Sequence, residues 1–312
     1  MPRVIITPRS YGMYSPDIWD RWEKAGVDVR YEPGPLAEER LSELLRDADA
    51  LLVGTDAVTR RVLEEAGVRV IVKYGVGLDN IDAEYAARKG IRVLNTPGVN
   101  TEAVADYTFG LMLALARKIP ASHADLMRGE WKKTTGLEIW GKTIGILGTG
   151  AIGKAVARRA KGFNMRILAW DKYPDPAAAE ELGFEYADLE SVLRRSDVIS
   201  LHVALTPETK HLIGARELEW MKPNALLVNT ARGGIVDEDA LFRALKERCI
   251  AGAALDVFGQ EPPVLPDWLR PLDNIIVTPH NAASSVEAVI RMTEQSTERI
   301  LEFFAAGTNA DP

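Results

Sequence analysis

Three side chains able to do acid–base and anion chemistry stand just past three apolar runs late in the 312-residue sequence. Arg232 follows ALLVN (225–229), Glu261 follows AGAAL (251–255), and His280 follows NIIVT (274–278). If those runs are parallel strands of one open sheet, their C-terminal ends share an edge, and that edge is where such sheets bind ligands. An arginine there can grip a carboxylate with its fork and polarise a neighbouring carbonyl. A histidine can give up a proton near neutral pH. A carboxylate beside it can orient the imidazole and stabilise its charged form. The three together suit a carbonyl oxygen that gains negative charge during reaction. Singly, each has a plainer reading: a solvated loop charge, a surface acid before Pro262-Pro263, a structural imidazole. Their common edge carries the functional reading.

The same edge receives a glycine turn. Gly148-Thr149-Gly150-Ala151-Ile152-Gly153 follows the apolar run TIGIL and opens a helical pattern. Gly148 suits the tight turn, Gly150 lets backbone approach a pyrophosphate, and Gly153 lets the helix pack on the strand. The helix N-terminus then offers free N–H groups and a partial positive charge to phosphate. Such a turn alone could be no more than a tight strand–helix connection. Asp171 adds a second requirement by ending the next strand pattern eighteen positions after Gly153. A carboxylate there accepts from ribose hydroxyls and repels a 2′-phosphate, so the cofactor expected is NAD rather than NADP, with the adjacent Lys172 softening the preference. A nicotinamide cofactor beside Arg232, Glu261 and His280 implies hydride transfer to or from a small 2-keto or 2-hydroxy acid.

These groups need a scaffold of alternating strands and helices. Early apolar runs at 4–7, 50–53, 70–72 and 91–94 read as buried strands, with helices at 36–46 and 82–89 between them. A Pro-Gly break in LNTPGVN (94–100) precedes a long helix over 101–118, capped by Thr101, whose register includes Val104, Tyr107, Phe109, Leu111 and Leu115. A second series supplies six strand patterns, at 143–148, 166–170, 197–201, 225–229, 251–255 and 274–278, the number of a full dinucleotide-binding sheet. A last helix covers 284–306. The fold class predicted is α/β, with strands apolar on both faces because helices cover both.

Composition narrows the function further. A formal net charge of -7 lacks the basic surface that a phosphate backbone demands, so no nucleic-acid partner is expected, and docking on anionic membranes is disfavoured. No apolar run approaches a membrane span, and the apolar part of MPRVIIT is too short for a signal peptide. The single cysteine, Cys249, excludes an intrachain disulfide and points to a reduced, cytoplasmic setting. It reads as a small core residue. Of the other histidines, His123 is expected to be exposed and His211 to lie in a loop. His202 directly follows a strand and has no evident acidic partner. No spacing of His, Cys or carboxylates suggests a metal site.

At these residues the chain resembles the D-isomer-specific 2-hydroxyacid dehydrogenases, most of all the D-3-phosphoglycerate dehydrogenase branch. The matching stretches run from 73 to 283 in the family's order: KYGVGLDNID, NTPGVNTEAVAD, GILGTGAIG, HVALTPETKHLIG, VNTARGGIVDEDAL, AGAALDVFGQEPP and VTPHNAA. The resemblance implies two doubly wound domains, a Rossmann NAD domain (99–282) inserted into a flavodoxin-like substrate domain (1–98 and 283–312). It implies Arg232, Glu261 and His280 as the catalytic trio, with Ala151 and Ile152 at the pyrophosphate and Asp171 at the adenosine ribose. Val203 would line the adenine side, and Thr230, Ala231 and Asp256 the nicotinamide side. Lys73 and the backbone of Val76 and Gly77 would meet the substrate. A homodimer through the NAD domain is implied as well.

Some positions depart from the branch's pattern. That branch meets a substrate phosphate with one arginine after the strand ALLV (50–53) and another just before GVGLDN; this chain carries Gly54 and Lys73. Asn281 beside His280 bears on the substrate pocket, and Trp140 on a partner subunit. A C-terminal serine-sensing domain is not expected. The substrate reading placed first is 3-phosphoglycerate, oxidised to 3-phosphohydroxypyruvate for serine synthesis; the alternative is glyoxylate, hydroxypyruvate or another 2-keto acid, which would be reduced. A third reading, an NAD(H)-sensing interaction protein, rests on the use of this fold for redox-sensitive corepression in some lineages.

Overall fold

The computed structural model describes residues 1–308. The chain divides into two compact units, Met1–Asn100 with the chain from Ser284 onward, and Thr101–Ala283. The second unit is thus inserted, in sequence, into the first.

The first unit alternates β1 (Arg3–Ile6), α1 (Ile18–Lys24), β2 (Asp28–Tyr31), α2 (Glu38–Leu45), β3 (Ala50–Val53), α3 (Arg60–Glu64), β4 (Val70–Lys73), α4 (Ala83–Arg88) and β5 (Arg92–Leu94). Its five strands are parallel in the order β2-β1-β3-β4-β5, the flavodoxin-like winding. The sequence pattern passes over β2, and the reason is physical: this edge strand, DVRY, is only half-buried or exposed along its length, so it carries no apolar run.

The second unit begins with α5 (Thr101–Ala116) and α6 (Ile119–Met127). It continues through β6 (Thr143–Leu147), α7 (Ala151–Gly162), β7 (Arg166–Trp170), α8 (Pro176–Leu182), β8 (Glu185–Tyr186), α9 (Leu189–Arg195) and β9 (Val198–Leu201). Then come α10 (Ala215–Trp220), β10 (Leu226–Asn229), α11 (Glu238–Lys246), β11 (Gly252–Leu255), a 3-10 turn (Asp267–Leu269) and β12 (Ile275–Val277). The sheet is parallel throughout, in the order β12-β11-β10-β9-β6-β7-β8. Renumbered from β6, that is the Rossmann winding 3-2-1-4-5-6 with a seventh strand added. The six strand patterns of the sequence correspond to all but β8, a two-residue edge strand too short to register as a pattern.

Both faces of this sheet are dry. Ile144, Ile146, Val198, Val228 and Ala254 pack on one side with Phe109 and Met112 of α5 and Val156 and Ala160 of α7. Leu147, Ile199, Leu201, Leu227 and Leu255 pack on the other with Leu193, Leu218, Leu241 and Leu245. Burying each such side chain contributes roughly 1.5–3 kcal/mol, which is why these strands read as continuous apolar runs.

The last helix, α12 (Val286–Thr308), returns to the first unit. The Tyr74 hydroxyl, just after β4, donates to the Val289 carbonyl at 3.1 Å and lies 2.9 Å from Thr293 Oγ1. One expectation about the core fails. Cys249 is exposed, because it lies beyond the end of α11, after Arg248 in a left-handed conformation (φ 60°), and its Sγ approaches Glu247 rather than apolar neighbours.

Candidate active site

Parallel winding brings the ends of β6, β7, β9, β10, β11 and β12 to one edge, and the polar residues of the sequence lie there. At the end of β6 the backbone turns through Gly148 (φ 99°), where a Cβ would stand 2.5 Å from the His202 carbonyl carbon. A Cβ on Gly153 would stand 2.0 Å from the Gly148 carbonyl oxygen, so α7 can pack on β6 only with glycine there. Gly150 caps α7, and a Cβ on it meets no protein atom within 4 Å. No side chain caps this helix, so the first-turn amides at Ala151 and Ile152 are left for another acceptor. Close backbone, an uncapped positive helix end and space at Gly150 fit a dinucleotide pyrophosphate.

Asp171 follows β7 and turns back to this loop. Its Oδ2 accepts from the Thr149 amide at 2.6 Å and from Thr149 Oγ1 at 3.0 Å, while Oδ1 accepts from the Tyr173 amide at 2.8 Å. After β9, Val203 packs its backbone against the Gly148 turn. His202 has its Nε2 2.8 Å from Ser200 Oγ. The residue is partly exposed as a whole, yet its Nδ1 is inaccessible and has no partner among the described residues, and burial drives its pKa down to about 3.

The ends of β10, β11 and β12 supply the remainder. Asn229 organises the loop after β10: its Nδ2 donates to the Arg232 carbonyl at 2.9 Å, and its Oδ1 accepts from the Ala231 amide at 3.0 Å. Thr230 is buried, its hydroxyl 2.8 Å from that of Thr108 on α5. The Arg232 guanidinium is half-buried and donates to the Ala231 carbonyl at 2.7 Å. Gly233 is required next, since a Cβ there would collide with the Phe258 carbonyl oxygen at 1.8 Å.

Asp256, directly after β11, is wholly buried. Its carboxylate accepts from Thr278 Oγ1 at 2.6 Å and from the amides of Asn281 and Ala282 at 2.8 Å each, and its carbonyl accepts from the His280 amide at 2.8 Å. One buried acid therefore shapes the whole turn after β12. That turn holds His280 in the left-handed region (φ 54°), a conformation costing roughly 1 kcal/mol or more for a side chain with a Cβ and kept only where neighbours dictate it.

So held, His280 presents Nδ1 to Glu261 Oε2 at 2.8 Å, while Glu261 Oε1 accepts from the Phe258 amide at 3.1 Å. Burial pushes the Glu261 carboxyl up. The hydrogen bond and charge of His280, the Phe258 amide and the charge of Arg232 outweigh it and bring the carboxyl below its ordinary value. Of the trio picked out in the sequence, His280 and Glu261 are in contact, and Arg232 stands in the loop after β10 on the same sheet edge. The sequence reading missed the acceptor role of Asp256, the Ser200–His202 pair, and Thr149 with Tyr186. The Asp256 side chain gave no signal of its own beyond its place at a strand end.

Lys73, Val76 and Gly77 lie in the first unit. Lys73 Nζ donates to the Gly54 carbonyl at 2.5 Å and to Asn80 Oδ1 at 2.6 Å. Val76 is exposed, with its carbonyl accepting from Asn95 Nδ2 at 2.8 Å. Arg60 and Arg61 are exposed and paired with acids of α2 and α3. Among the described residues no group of three or more His, Cys, Asp or Glu side chains could hold a metal ion.

A Rossmann winding with a glycine turn, a helix end without a side-chain cap, a carboxylate after β7 and a His280–Glu261 pair on one sheet edge is the arrangement expected of a nicotinamide-dependent dehydrogenase. Residues 109–282 match the model of the D-isomer specific 2-hydroxyacid dehydrogenase NAD binding domain. The chain is 43% identical over 310 residues to a glyoxylate reductase of Korarchaeum cryptofilum, spanning 97% of this chain and 92% of that one. It is 50% identical over 258 residues to a D-3-phosphoglycerate dehydrogenase of Methanocaldococcus jannaschii, spanning 81% of this chain and 49% of that one. The structure of D-lactate dehydrogenase from Escherichia coli superposes with a TM-score of 0.86 at 32% identity, covering 98% of each chain. The chain belongs to the D-isomer-specific 2-hydroxyacid dehydrogenases and uses NAD.

Proposed function

We propose that this dehydrogenase reduces a small unphosphorylated 2-keto acid, of the glyoxylate or hydroxypyruvate kind. The observation that carries the reading is Gly54. Where the phosphoglycerate branch presents an arginine to a substrate phosphate, this chain has no side chain, and Lys73 is already donating to the Gly54 carbonyl and Asn80. The name of the Korarchaeum relative agrees with it.

NADH, when bound, supplies the hydride. His280 then gives the proton to the carbonyl oxygen from Nε2, since Nδ1 is engaged with Glu261. Glu261 fixes the ring's orientation and balances its charge. Arg232 grips the substrate carboxylate and polarises the ketone. The amides of Val76 and Gly77 are assigned to the substrate carboxylate by resemblance. Gly148, Gly150, Ala151, Ile152 and Gly153 are assigned to the pyrophosphate, Asp171 and Val203 to the adenosine, and Thr230, Ala231 and Asp256 to the nicotinamide side. The NAD and substrate domains correspond to 99–282 and to 1–98 with 283–312.

A second reading, 3-phosphoglycerate oxidation in serine biosynthesis, is favoured by the identity to the Methanocaldococcus protein and by the cation at Lys73. Parallel assays of NADH oxidation with glyoxylate, hydroxypyruvate and 3-phosphohydroxypyruvate separate the two. An unphosphorylated acid with at least tenfold higher kcat/KM supports the first reading, and the reverse order supports the second.

The chain is further proposed to work in the cytoplasm as a homodimer through the NAD domain. Supporting this, the segment that contains α6 exposes Ile119, Leu126, Met127, Trp131 (82% exposed) and Trp140, more apolar surface than a monomer usually leaves in one stretch. Among the described residues no helix is long and apolar enough to cross a membrane. Sedimentation of the purified protein at twice the chain mass supports the dimer; sedimentation at 34.3 kDa contradicts it.

A further inference from the structure

The carboxylate assigned to the ribose is held by a relay that runs through Tyr186 on the neighbouring strand β8. The Asp175 amide donates to the Tyr186 hydroxyl at 2.9 Å. That hydroxyl lies 2.7 Å from Thr149 Oγ1, which lies 3.0 Å from Asp171 Oδ2. The directions are forced by the ends. A backbone amide only donates and an ionised carboxylate only accepts, so Thr149 gives its proton to Asp171 and Tyr186 gives its proton to Thr149. With the amides of Thr149 and Tyr173 on its two oxygens, Asp171 is pinned in one orientation. Asp175 also caps α8 through the Ala178 amide and pairs with Lys154 of α7 at 2.6 Å, so the loop 171–175 is fixed at both ends.

A pinned carboxylate discriminates between cofactors and a mobile one does not. Held toward the glycine loop, Asp171 keeps its negative charge where a 2′-phosphate would lie. Released, it can swing aside and leave the neighbouring Lys172, whose only acid within ion-pair distance among the described residues is Glu208 at 3.9 Å, to meet that phosphate. We propose that Tyr186, acting through Thr149, is a positioning residue that sets the preference of this enzyme for NAD over NADP by fixing Asp171. The proposal rests on the assignment of Asp171 to the adenosine ribose.

The test is equilibrium binding, read by fluorescence titration of the intact chain with NADH and with NADPH. The quantity compared is the ratio of the two Kd values. Tyr186→Phe removes only the hydroxyl and is expected to cut the NADH preference by roughly tenfold, equivalent to ~1.4 kcal/mol, about the worth of one neutral hydrogen bond. Thr149→Val is expected to do the same, and Thr149→Ser, which keeps the hydroxyl, to retain the preference within about twofold. Asp171→Ala is the control for the underlying assignment and is expected to lose the preference by more than either. If Asp171→Ala abolishes the preference while Tyr186→Phe leaves it intact, the relay is overturned and the ribose assignment stands. If both cofactors weaken by the same factor in Tyr186→Phe, the tyrosine merely supports the fold and the proposal is likewise overturned. If Asp171→Ala itself changes nothing, the ribose assignment fails and takes the relay with it.

Discussion

Nδ1 of His280 lies 2.8 Å from Oε2 of Glu261, although nineteen residues and a strand separate them in the chain. The contact exists because β11 and β12 are parallel neighbours, so that the loops leaving both strands emerge at the same edge. It places a proton-bearing ring beside a carboxylate whose other oxygen is held by the Phe258 amide.

This contact makes a prediction about acid. Burial alone would raise the Glu261 carboxyl, but the His280 hydrogen bond and charge, the Phe258 amide and the Arg232 charge bring it below 4.5. A carboxyl depressed in the folded state contributes stability above its unfolded value and loses it as pH falls through the folded one. Thermal melts of the native chain and of Glu261→Gln should therefore converge as pH falls through and below the ordinary carboxyl range. A difference that widens with acid contradicts this pairing.

Asp256 yields a second. Asp256→Asn replaces one of two acceptor oxygens with a donor inside a fully buried site where every partner is itself a donor. The expected loss is ~1–3 kcal/mol of stability, together with a lower kcat, since the turn that strains His280 loses its anchor. Denaturant titration and steady-state rates check both. An unchanged unfolding midpoint would show that the turn does not depend on this acid.

His202 should make the protein acid-sensitive in a separate window. Its imidazole stays neutral in the folded chain until about pH 3 but takes up a proton near 6.5 when unfolded. The unfolded state therefore binds more protons between those values, and stability must rise with pH across them, by at most ~1.4 kcal/mol per unit from this group. His202→Asn removes that slope. Equal pH dependence in the variant and the native chain would mean the ring is not buried uncharged.

Gly54 can be tested by restoring the side chain that the phosphoglycerate branch carries. The three atoms nearest a Cβ there all belong to Pro8, the closest at 3.4 Å, an ordinary van der Waals contact, so a side chain can start at this position. Gly54→Arg is expected to raise kcat/KM for 3-phosphohydroxypyruvate relative to hydroxypyruvate by about tenfold or more, the effect of one added charge-assisted contact. An unaltered ratio means the side chain at 54 does not reach the substrate's distal group.

Much of this architecture is legible from residue order alone. The buried strands announce themselves because parallel sheets are apolar on both faces, and Arg232, Glu261 and His280 stand out as the polar residues just past their C-terminal ends. Two edge strands escape: β2 because water faces much of it, and β8 because two residues make no pattern. Cys249 defeats the pattern because one residue past a helix end decides whether a small side chain is in or out. The Tyr186–Thr149–Asp171 relay is invisible in the sequence since its members belong to three elements that only the fold brings within 3.0 Å. The anchoring of His280 by Asp256 is of the same kind: a backbone turn satisfied by a distant carboxylate leaves no spacing to read.

We assign to His280 the role of proton donor for ketone reduction. This role is tested most directly by measuring NADH oxidation with glyoxylate and hydroxypyruvate in the native enzyme and in His280→Ala, with NADH binding measured on the same samples. The expected result is that kcat falls by roughly 10²–10⁴ while NADH binds with nearly native affinity, because the loss is of general acid catalysis and not of the cofactor cradle. A variant that binds NADH and turns over at close to the native rate would contradict it.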